Sequence, residues 1–131
     1  MKCLLDTHAL IWYFEDSPHL PEEAKKIIDD AENSIYICSA SLWEIAIKVG
    51  LDKLKINLNL DELYRIINES GLKILQIEQE HLVEFLTLPF FHRDPFDRLL
   101  VSTALCENLT IITKDENIQK YDVPFVWGGV Q

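Results

Sequence analysis

The chain begins with the stretch Lys2-Cys3-Leu4-Leu5-Asp6-Thr7-His8, in which a short apolar run leads to a carboxylate and then to a hydroxyl. A run of this kind, bounded by polar residues, is typical of a buried strand. We therefore predict a buried first strand whose C-terminal end delivers Asp6 to a functional site, where side chains from later elements can join it.

Strands and helices alternate along the rest of the sequence. We predict further strands at 34–38, 72–77 and 109–113 and an edge strand at 123–127, because these segments are rich in β-branched and aromatic residues. Helices are predicted at 8–14, 21–33, 39–49, 60–70, 78–88 and 94–106, with a short helix or turn at 114–121. This alternation predicts an α/β fold with three layers and a mainly parallel sheet of four or five strands, formed by a single domain over residues 1–131.

Several finer features follow from local patterns. Gly50 is expected to cap the third helix, as glycine often does at a helix C-terminus. Segment 51–58 is expected to be a less regular connection, in which alternating apolar residues allow a short extended piece. On the helix at 78–88, we expect Leu82, Phe85 and Leu86 to face inward.

The composition restricts the function classes. The chain carries 12 Lys and Arg against 22 Asp and Glu, a formal net charge of −10. This balance disfavours a protein that coats nucleic acid non-specifically, because phosphate neutralisation needs clustered basic residues. It is compatible with an enzyme that holds nucleic acid through a metal and a small basic rim, since acids gathered in one cleft attract divalent cations.

The cysteine pattern and the absence of long apolar runs indicate a reduced, cytoplasmic protein. Cys3, Cys38 and Cys106 are odd in number, widely spaced and set among apolar residues, so we expect reduced core residues rather than a zinc or redox motif. The apolar part of the N-terminus is too short for a signal peptide, and no run approaches the ~18 residues needed to span a membrane.

Four acidic residues stand where a parallel sheet would bring them together: Asp6, Glu44, Asp97 and Asp115. Ligands in such sheets bind outside the carboxyl ends of the strands. Asp6 and Asp115 follow predicted strands, whereas Glu44 and Asp97 lie in predicted first helical turns. Each acid alone is also explained as a helix cap or turn residue, with Ser41-x-x-Glu44 matching a capping box.

Together, four carboxylates at one edge require compensation. At ~5 Å and an effective dielectric of 20, one pair costs about 3 kcal/mol. A divalent cation relieves this repulsion, and Mg²⁺ or Mn²⁺ prefers oxygen ligands. A carboxylate-bound metal suits phosphodiester hydrolysis, and no side-chain nucleophile is then required.

Other residues near this edge have possible supporting roles. Thr7, Ser39 and Thr113 are candidates to orient metal ligands or water, although hydroxyls at such positions are often simple turn residues. Candidates to hold flanking phosphates are Lys48, Arg93, Arg98 and Lys114. Lys48 also stands four residues after Glu44, the favoured order for a helical ion pair.

Other kinds of site find no support in the sequence. No partner at metal-ligand spacing accompanies His8, His81 or His92, and the sequence contains no Gly-rich phosphate loop.

An ordered set of motifs resembles one protein family. The motifs are Leu4-Leu5-Asp6-Thr7-His8, then 39–48 (SASLWEIAIK), 92–100 (HRDPFDRLL) and Ile112-Thr113-Lys114-Asp115. They resemble PIN-domain proteins, and most of all the VapC-type toxins of toxin–antitoxin pairs, over nearly the whole chain.

The resemblance implies a PIN-like fold and an endoribonuclease that uses Mg²⁺ or Mn²⁺. It places the family's acids at Asp6, Glu44, Asp97 and Asp115, with Glu116 as a competitor for the fourth position. It also implies a homodimer and a cognate antitoxin that blocks the cleft.

Two alternatives remain open on the sequence. The same fold can be a module that uses metal only to dock RNA or a partner, or it can be a DNA-directed nuclease. The aromatic residues Trp12, Phe14, Phe90 and Phe91 can form a dimer or antitoxin surface, or they can pack in the core.

Overall fold

The computed structural model of the protein describes residues 1–128. The strands are β1 (Lys2–Leu5), β2 (Ser34–Cys38), β3 (Lys73–Leu75), β4 (Thr110–Ile112) and β5 (Phe125–Val126). The helices are α1 (Thr7–Phe14), α2 (Glu22–Asp29), α3 (Ser39–Gly50), α4 (Leu60–Ser70), α5 (Gln79–Thr87), α6 (Pro95–Glu107) and α7 (Glu116–Gln119). Across residues 1–128, none of these helices is both long and apolar enough to cross a membrane.

The described strands form one five-stranded sheet in the order β3-β2-β1-β4-β5, and every pairing is parallel. β1 therefore lies in the middle, as its unbroken apolar run predicts. The chain builds outward from β1 through β2 to β3 and then returns to place β4 on the other side of β1. This reversal opens a crevice between the carboxyl ends of β1 and β4, where ligands bind in open α/β sheets.

Residues of β1 face both layers of helices, which fixes the three-layer architecture. Cys3 and Leu5 belong to one core with side chains from α1 to α4, whereas Leu4 packs into a second core with α6 and α7. Successive side chains of a strand point to opposite faces, so a buried central strand must be apolar at consecutive positions. The α/β fold with helices on both faces of a parallel sheet is therefore confirmed.

The end of α3 differs from the sequence prediction. Gly50 remains inside the helix, and Leu51 is the C-cap. The left-handed residue is Asp52, with φ of 55°. Aspartate tolerates this region better than most residues because its short side chain bonds locally. The following connection contains no strand, and its Leu54, Ile56 and Leu58 instead pack against the first core from one side.

The predicted inward face of α5 is wrong at two positions. Leu82 and Leu86 are 51% and 82% exposed. The buried positions are His81, Phe85 in part, and Leu88 just after the helix, which share a face by the i, i+4, i+7 spacing. His81 can be buried because its Nδ1 accepts from the Glu78 N–H and its Nε2 bonds the Glu107 carboxylate at 2.9 Å.

The cysteine prediction is confirmed for two residues and wrong for the third. All three are free thiols, and Cys3 and Cys38 are buried. Cys106 is only partly buried on α6, where its Sγ lies 3.4 Å from the Glu80 carbonyl. Its position near the end of α6 turns it away from the second core, which α6 fills with its Leu99–Ala104 stretch.

Candidate active site

A cleft of about 220 Å³ lies at the carboxyl edge of the sheet, where β1 and β4 end. Its lining joins segments from across the chain: Asp6, Thr7, His8, Glu44, Lys48, His92, Asp94, Asp97 and Asp115. The structure thus brings together the four acids that the sequence singled out, and it adds a fifth carboxylate from Asp94.

Asp6 is held in place from two sides. It is the N-cap of α1, where its Oδ1 accepts from the Ala9 N–H at 2.7 Å. The Thr113 hydroxyl also bonds its carboxylate. Burial raises the pKa of Asp6, and both hydrogen bonds oppose that rise. The N-cap role and the site role therefore coexist, because a carboxylate has acceptor capacity beyond one backbone N–H.

Glu44 is buried and engaged through both oxygens. Thr7 Oγ1 donates to Oε1 at 2.7 Å, and Lys48 Nζ donates to Oε2 at 2.6 Å. Because α3 begins at Ser39, Glu44 lies in the second helical turn rather than the first. The Ser41 capping box is consequently wrong: the N-cap is Cys38, and Ser41 Oγ is buried with no partner among residues 1–128.

Asp97 stands in the first turn of α6 and carries the most perturbed carboxyl group of the cleft. Its pKa rises to about 7, chiefly because of burial and then because of the negative charges of Asp94, Asp115 and Glu44. A 3.0 Å hydrogen bond between its Oδ2 and His92 Nε2 opposes the rise. Neighbouring carboxylates thus resist simultaneous ionisation here, as expected for a site built to receive positive charge.

Asp94 both caps a helix and lines the cleft. Its Oδ1 accepts from the Phe96 and Asp97 N–H groups at 2.8 and 3.4 Å, which makes Asp94 the N-cap of α6 directly before Pro95. One oxygen remains for the cleft. The ligand atoms of His92, Asp94 and Asp97 all lie within 4.8 Å of one another.

Asp115 enters the cleft from β4, as the N-cap of α7. Its Oδ1 accepts from the Asn117 N–H at 2.8 Å, and its own N–H donates to Thr113 Oγ1 at 3.0 Å. Thr113 is fully buried. Through its hydrogen bonds, it connects Asp6 with the Asp115 backbone across the crevice. Glu116, the competing residue, is exposed and is not part of the cleft lining.

The supporting residues divide into two groups. Thr7 and Thr113 contact the acids, and Lys48 lines the cleft beside Glu44. Ser39, Arg93 and Lys114 are outside the lining found among residues 1–128. Lys114 is nevertheless the chain neighbour of Asp115 and lies over the Trp12 ring at 5.1 Å.

The structure does not bring Arg98 to the cleft, so the expected phosphate role is corrected. Arg98 is 3% exposed and points from α6 towards α5. Its Nη2 lies 3.3 and 3.4 Å from the carbonyls of Phe85 and Leu88, and its guanidinium stacks on Phe85 and Phe90. Adjacent positions on a helix point about 100° apart, so Arg98 faces the helix pair while Asp97 faces the cleft.

The predicted site residues leave out His92 and Asp94, for which the sequence favours a loop position and a helix cap, although both line the cleft. His92 looked isolated because its partner, Asp97, is five residues away across a loop and a helix start. A usable signal was the spacing His92-x-Asp94-x-x-Asp97, in which a helix N-terminus folds the three residues onto one side. His8 also lines the cleft, directly after Thr7.

A second cluster, Glu80, His81 and Glu107, also has ligand atoms within 4.8 Å of one another. His81 Nδ1 accepts a backbone hydrogen bond, so the ring proton stands on Nε2 and donates to Glu107. A metal at Nε2 would have to replace that proton and leave an imidazolate. This cluster therefore links α5 to α6 and is a poor metal site.

The cleft, by contrast, fits a divalent cation. Most of its donors are carboxylate oxygens, the ligands that suit Mg²⁺ or Mn²⁺. Burial and the neighbouring negative charges raise the pKa of Asp97, and a bound cation would relieve this repulsion between carboxylates. Asp6, Glu44, Asp94, Asp97 and Asp115 are the residues available to hold it.

Comparison with known proteins gives a family and a fold. The family model described as PIN domain matches residues 3–124. No curated protein matches the sequence. The fold is shared with the crystal structure of VapBC2 from Rickettsia felis bound to a DNA fragment from their promoter, with 20% identity, TM-score 0.73, and coverage of 98% of this chain and 100% of that chain.

Two further solved structures are similar to this chain. The crystal structure of FitAcB from Neisseria gonorrhoeae shows 19% identity and TM-score 0.64, with coverage of 94% of this chain and 95% of that one. A domain of a functionally unknown protein from Methanocaldococcus jannaschii shows 17% identity and TM-score 0.54, with coverage of 99% and 92%.

Proposed function

This chain belongs to the PIN domain family, and on that premise we propose that it is a metal-dependent endoribonuclease, the toxin of a toxin–antitoxin pair. PIN domains are generally nucleases that use divalent metals. The observation that carries the proposal is the cleft itself, where five carboxylates from four separate segments line about 220 Å³ of space at the switch point of the sheet.

The residues of this chain have distinct parts in such a reaction. Asp6, Glu44, Asp97 and Asp115 would hold Mg²⁺ or Mn²⁺, with Asp94 beside them. When bound, the metal supplies an activated water as nucleophile and stabilises the leaving oxygen of the phosphodiester. No side-chain nucleophile is required.

The hydrogen bonds around the acids preorganise them. Thr7 fixes one Glu44 oxygen, Thr113 bonds Asp6 and the Asp115 backbone, and His92 fixes one Asp97 oxygen. Partners of this kind orient ligands so that little rearrangement is needed on binding. Lys48 pairs with Glu44 in the cleft lining, where it would also be available to a substrate phosphate.

We also propose a homodimer and a protein antitoxin as partners. Two solved structures with this fold carry the names of the pairs VapBC2 and FitAcB, and the motifs of this chain resemble VapC-type toxins. Exposed apolar side chains on α5 and the following loop, Leu86 at 82% and Phe90 at 84%, offer a surface that a partner would cover. Trp12 and Phe14 instead pack partly against the first core.

The decisive experiment is cleavage of single-stranded RNA by the purified protein with Mg²⁺ or Mn²⁺, with and without EDTA. Asp6→Asn and Asp97→Asn should each lower the rate at least 100-fold while circular dichroism stays unchanged. Glu116→Gln, adjacent to Asp115 but outside the cleft, is the matched control and should retain activity.

Cleavage that persists in EDTA, or in both Asn variants, would contradict the proposal. Metal binding without cleavage of any RNA would favour a docking module. Cleavage of single-stranded DNA in preference to RNA would identify a DNA-directed nuclease.

A further inference from the structure

A row of aromatic rings leads away from the acidic cleft. The His8 ring stacks on the Trp12 ring with centroids 5.4 Å apart and planes 29° apart. Trp12 in turn contacts the His19 ring at 5.3 Å and the Trp127 ring at 5.9 Å. Lys114 Nζ lies 5.1 Å from the centre of the Trp12 ring. We call His8, Trp12, His19 and Lys114 the aromatic row.

The aromatic row is continuous with the cleft and open to solvent. His8 belongs to the cleft lining, and Lys114 is bonded in the chain to Asp115, another lining residue. His8, His19 and Lys114 are exposed, while Trp12 is partly buried against the first core and anchors the others. A molecule leaving the cleft past His8 therefore meets ring faces next and a cation beside them.

Resting on the proposed function, we propose that the aromatic row is the substrate subsite where a nucleobase flanking the scissile phosphate stacks, with Lys114 holding an adjacent phosphate. Stacking surfaces of rings beside a cation are the usual way to hold single-stranded nucleic acid without reading its sequence. Duplex bases are already stacked on one another, so this subsite selects single strands.

The net charge of the protein favours a subsite that binds its ligand without long-range electrostatic attraction. With a formal charge of −10, long-range attraction works against a nucleic acid substrate. Five of the protein's acidic residues line the cleft, at the point where the substrate would make contact. Base stacking is independent of net charge, and one lysine placed at the rings adds a local attraction. Base stacking and this local attraction together hold the strand, although the net negative charge of the protein repels it.

The test measures binding separately from cleavage. The Asp6→Asn variant is titrated in Mg²⁺ with a complete fluorescein-labelled RNA 8-mer. It is also titrated with a series of labelled 8-mers, each of which has a single abasic position at a different place along the strand. We expect one abasic position to weaken binding about tenfold, or about 1.4 kcal/mol. His19→Ala should weaken binding of the complete 8-mer to a similar extent. In this variant, the complete 8-mer should therefore bind no more tightly than the abasic 8-mer.

Matched controls keep the comparison specific. Tyr64→Ala removes a partly exposed ring from α4, outside the aromatic row, and should leave both affinities unchanged. Lys114→Gln should lower the salt dependence of binding by about one phosphate contact, whereas Lys53→Gln should not.

The outcomes separate this proposal from the nuclease proposal. Equal affinity for the complete and all abasic 8-mers, or an unchanged preference in His19→Ala, overturns the subsite even if the wild-type protein cleaves RNA. A base-dependent, His19-dependent affinity supports the subsite even if cleavage is never observed. Tighter binding of a duplex than of its single strand also overturns it.

Discussion

At the scale of single residues, most side chains of the cleft combine a local structural bond with a place in the site. Asp6, Asp94 and Asp115 are all N-caps, and their caps aim the carboxylates at the sheet edge. A cap fixes a side chain at small cost, because the backbone N–H group needs an acceptor in any case. The caps therefore support the proposed site and do not compete with it.

Asp97 makes the stability of the metal-free protein depend on pH. Its folded pKa of about 7 lies above its ordinary value of 3.8, so the folded protein binds the proton more tightly than the unfolded chain. Stability from this group is therefore present below pH 4 and is lost as the pH rises to about 7. In EDTA at pH 8, Asp97→Asn should raise the free energy of unfolding on the order of 1 kcal/mol.

Urea unfolding of wild type and Asp97→Asn at pH 4 and pH 8 checks this expectation. The gain should shrink at pH 4, where the wild-type carboxyl group is protonated. A gain of equal size at both values would mean that the amide, not the removed charge, is responsible.

Thr113 offers a second test at this scale. Thr113→Val keeps the shape of the side chain but leaves Asp6 and the Asp115 N–H without their shared hydroxyl. We expect Mn²⁺ affinity, measured by calorimetry, to fall 10- to 100-fold, as for other residues that orient metal ligands. Ser39→Ala is the control, since Ser39 is outside the cleft; an equal loss there would contradict the orienting role.

At the scale of elements, the pair α5 and α6 sets the position of the loop that carries His92. Arg98 reaches from α6 to the carbonyls of Phe85 and Leu88 at the end of α5, and the Phe85 and Phe90 rings flank its guanidinium. Both carbonyls are at the C-terminus of α5, where backbone acceptors lack i→i+4 partners, and the Phe85 carbonyl also accepts from the Leu88 N–H at 3.3 Å. The Arg98 guanidinium therefore caps the C-terminal end of α5 and fixes the start of the loop that carries His92.

Replacing this arginine should cost stability. Arg98→Met retains most of the apolar volume but removes the donor to the Leu88 carbonyl and leaves the Phe85 carbonyl with the Leu88 N–H alone. We expect a loss of roughly 2 kcal/mol in denaturant unfolding. Arg65→Met removes an exposed arginine of α4 and should change stability by less than about 0.5 kcal/mol. Equal effects of the two variants would exclude the proposed role of Arg98.

At the scale of the whole molecule, two unfavourable features would be relieved by binding. A metal ion would reduce the repulsion between the cleft carboxylates, and a protein partner would cover the exposed apolar surface. A metal ion that binds only the folded protein stabilises it by mass action, by about 2.7 kcal/mol at 100 times its Kd. Saturating Mn²⁺ should therefore raise Tm by several degrees in thermal melts. The effect should be absent in a variant with Asp6→Asn and Asp97→Asn together; a persistent rise would place the ion elsewhere.

The exposed face of α5 gives a prediction about assembly. Leu86→Glu puts a charge on a side chain that is 82% exposed, so the monomer fold should be unaffected. If this face forms the proposed homodimer, light scattering should show dissociation to monomers, because an interface core excludes unpaired charge. Tyr64→Glu on α4 is the control. A dimer that persists in Leu86→Glu would move the interface to another face.

Much of the fold could be predicted from the sequence because the signals are local. The apolar runs at Lys2–Leu5 and Ser34–Cys38 identify β1 and β2, and α4 occupies the predicted range 60–70 between its caps Asn59 and Gly71. The predicted β3 and β4 extend one or two residues too far at each end, since strand ends depend on pairing with a neighbour. The end of α3 also differs from the local signal, because Gly50 is the last helical residue and Leu51 is the C-cap.

The amino-acid order alone determined that acids follow buried strands or open helices, and hence which carboxylates belong to one edge of a parallel sheet. Only the tertiary structure decided that Asp94 and His92 join them, that Arg98 and Ser39 do not, and that α5 is rotated to bury His81. The reason is physical: periodicity specifies the face on which a side chain lies, whereas the rotation of a helix and the path of a loop depend on packing between residues far apart in the chain.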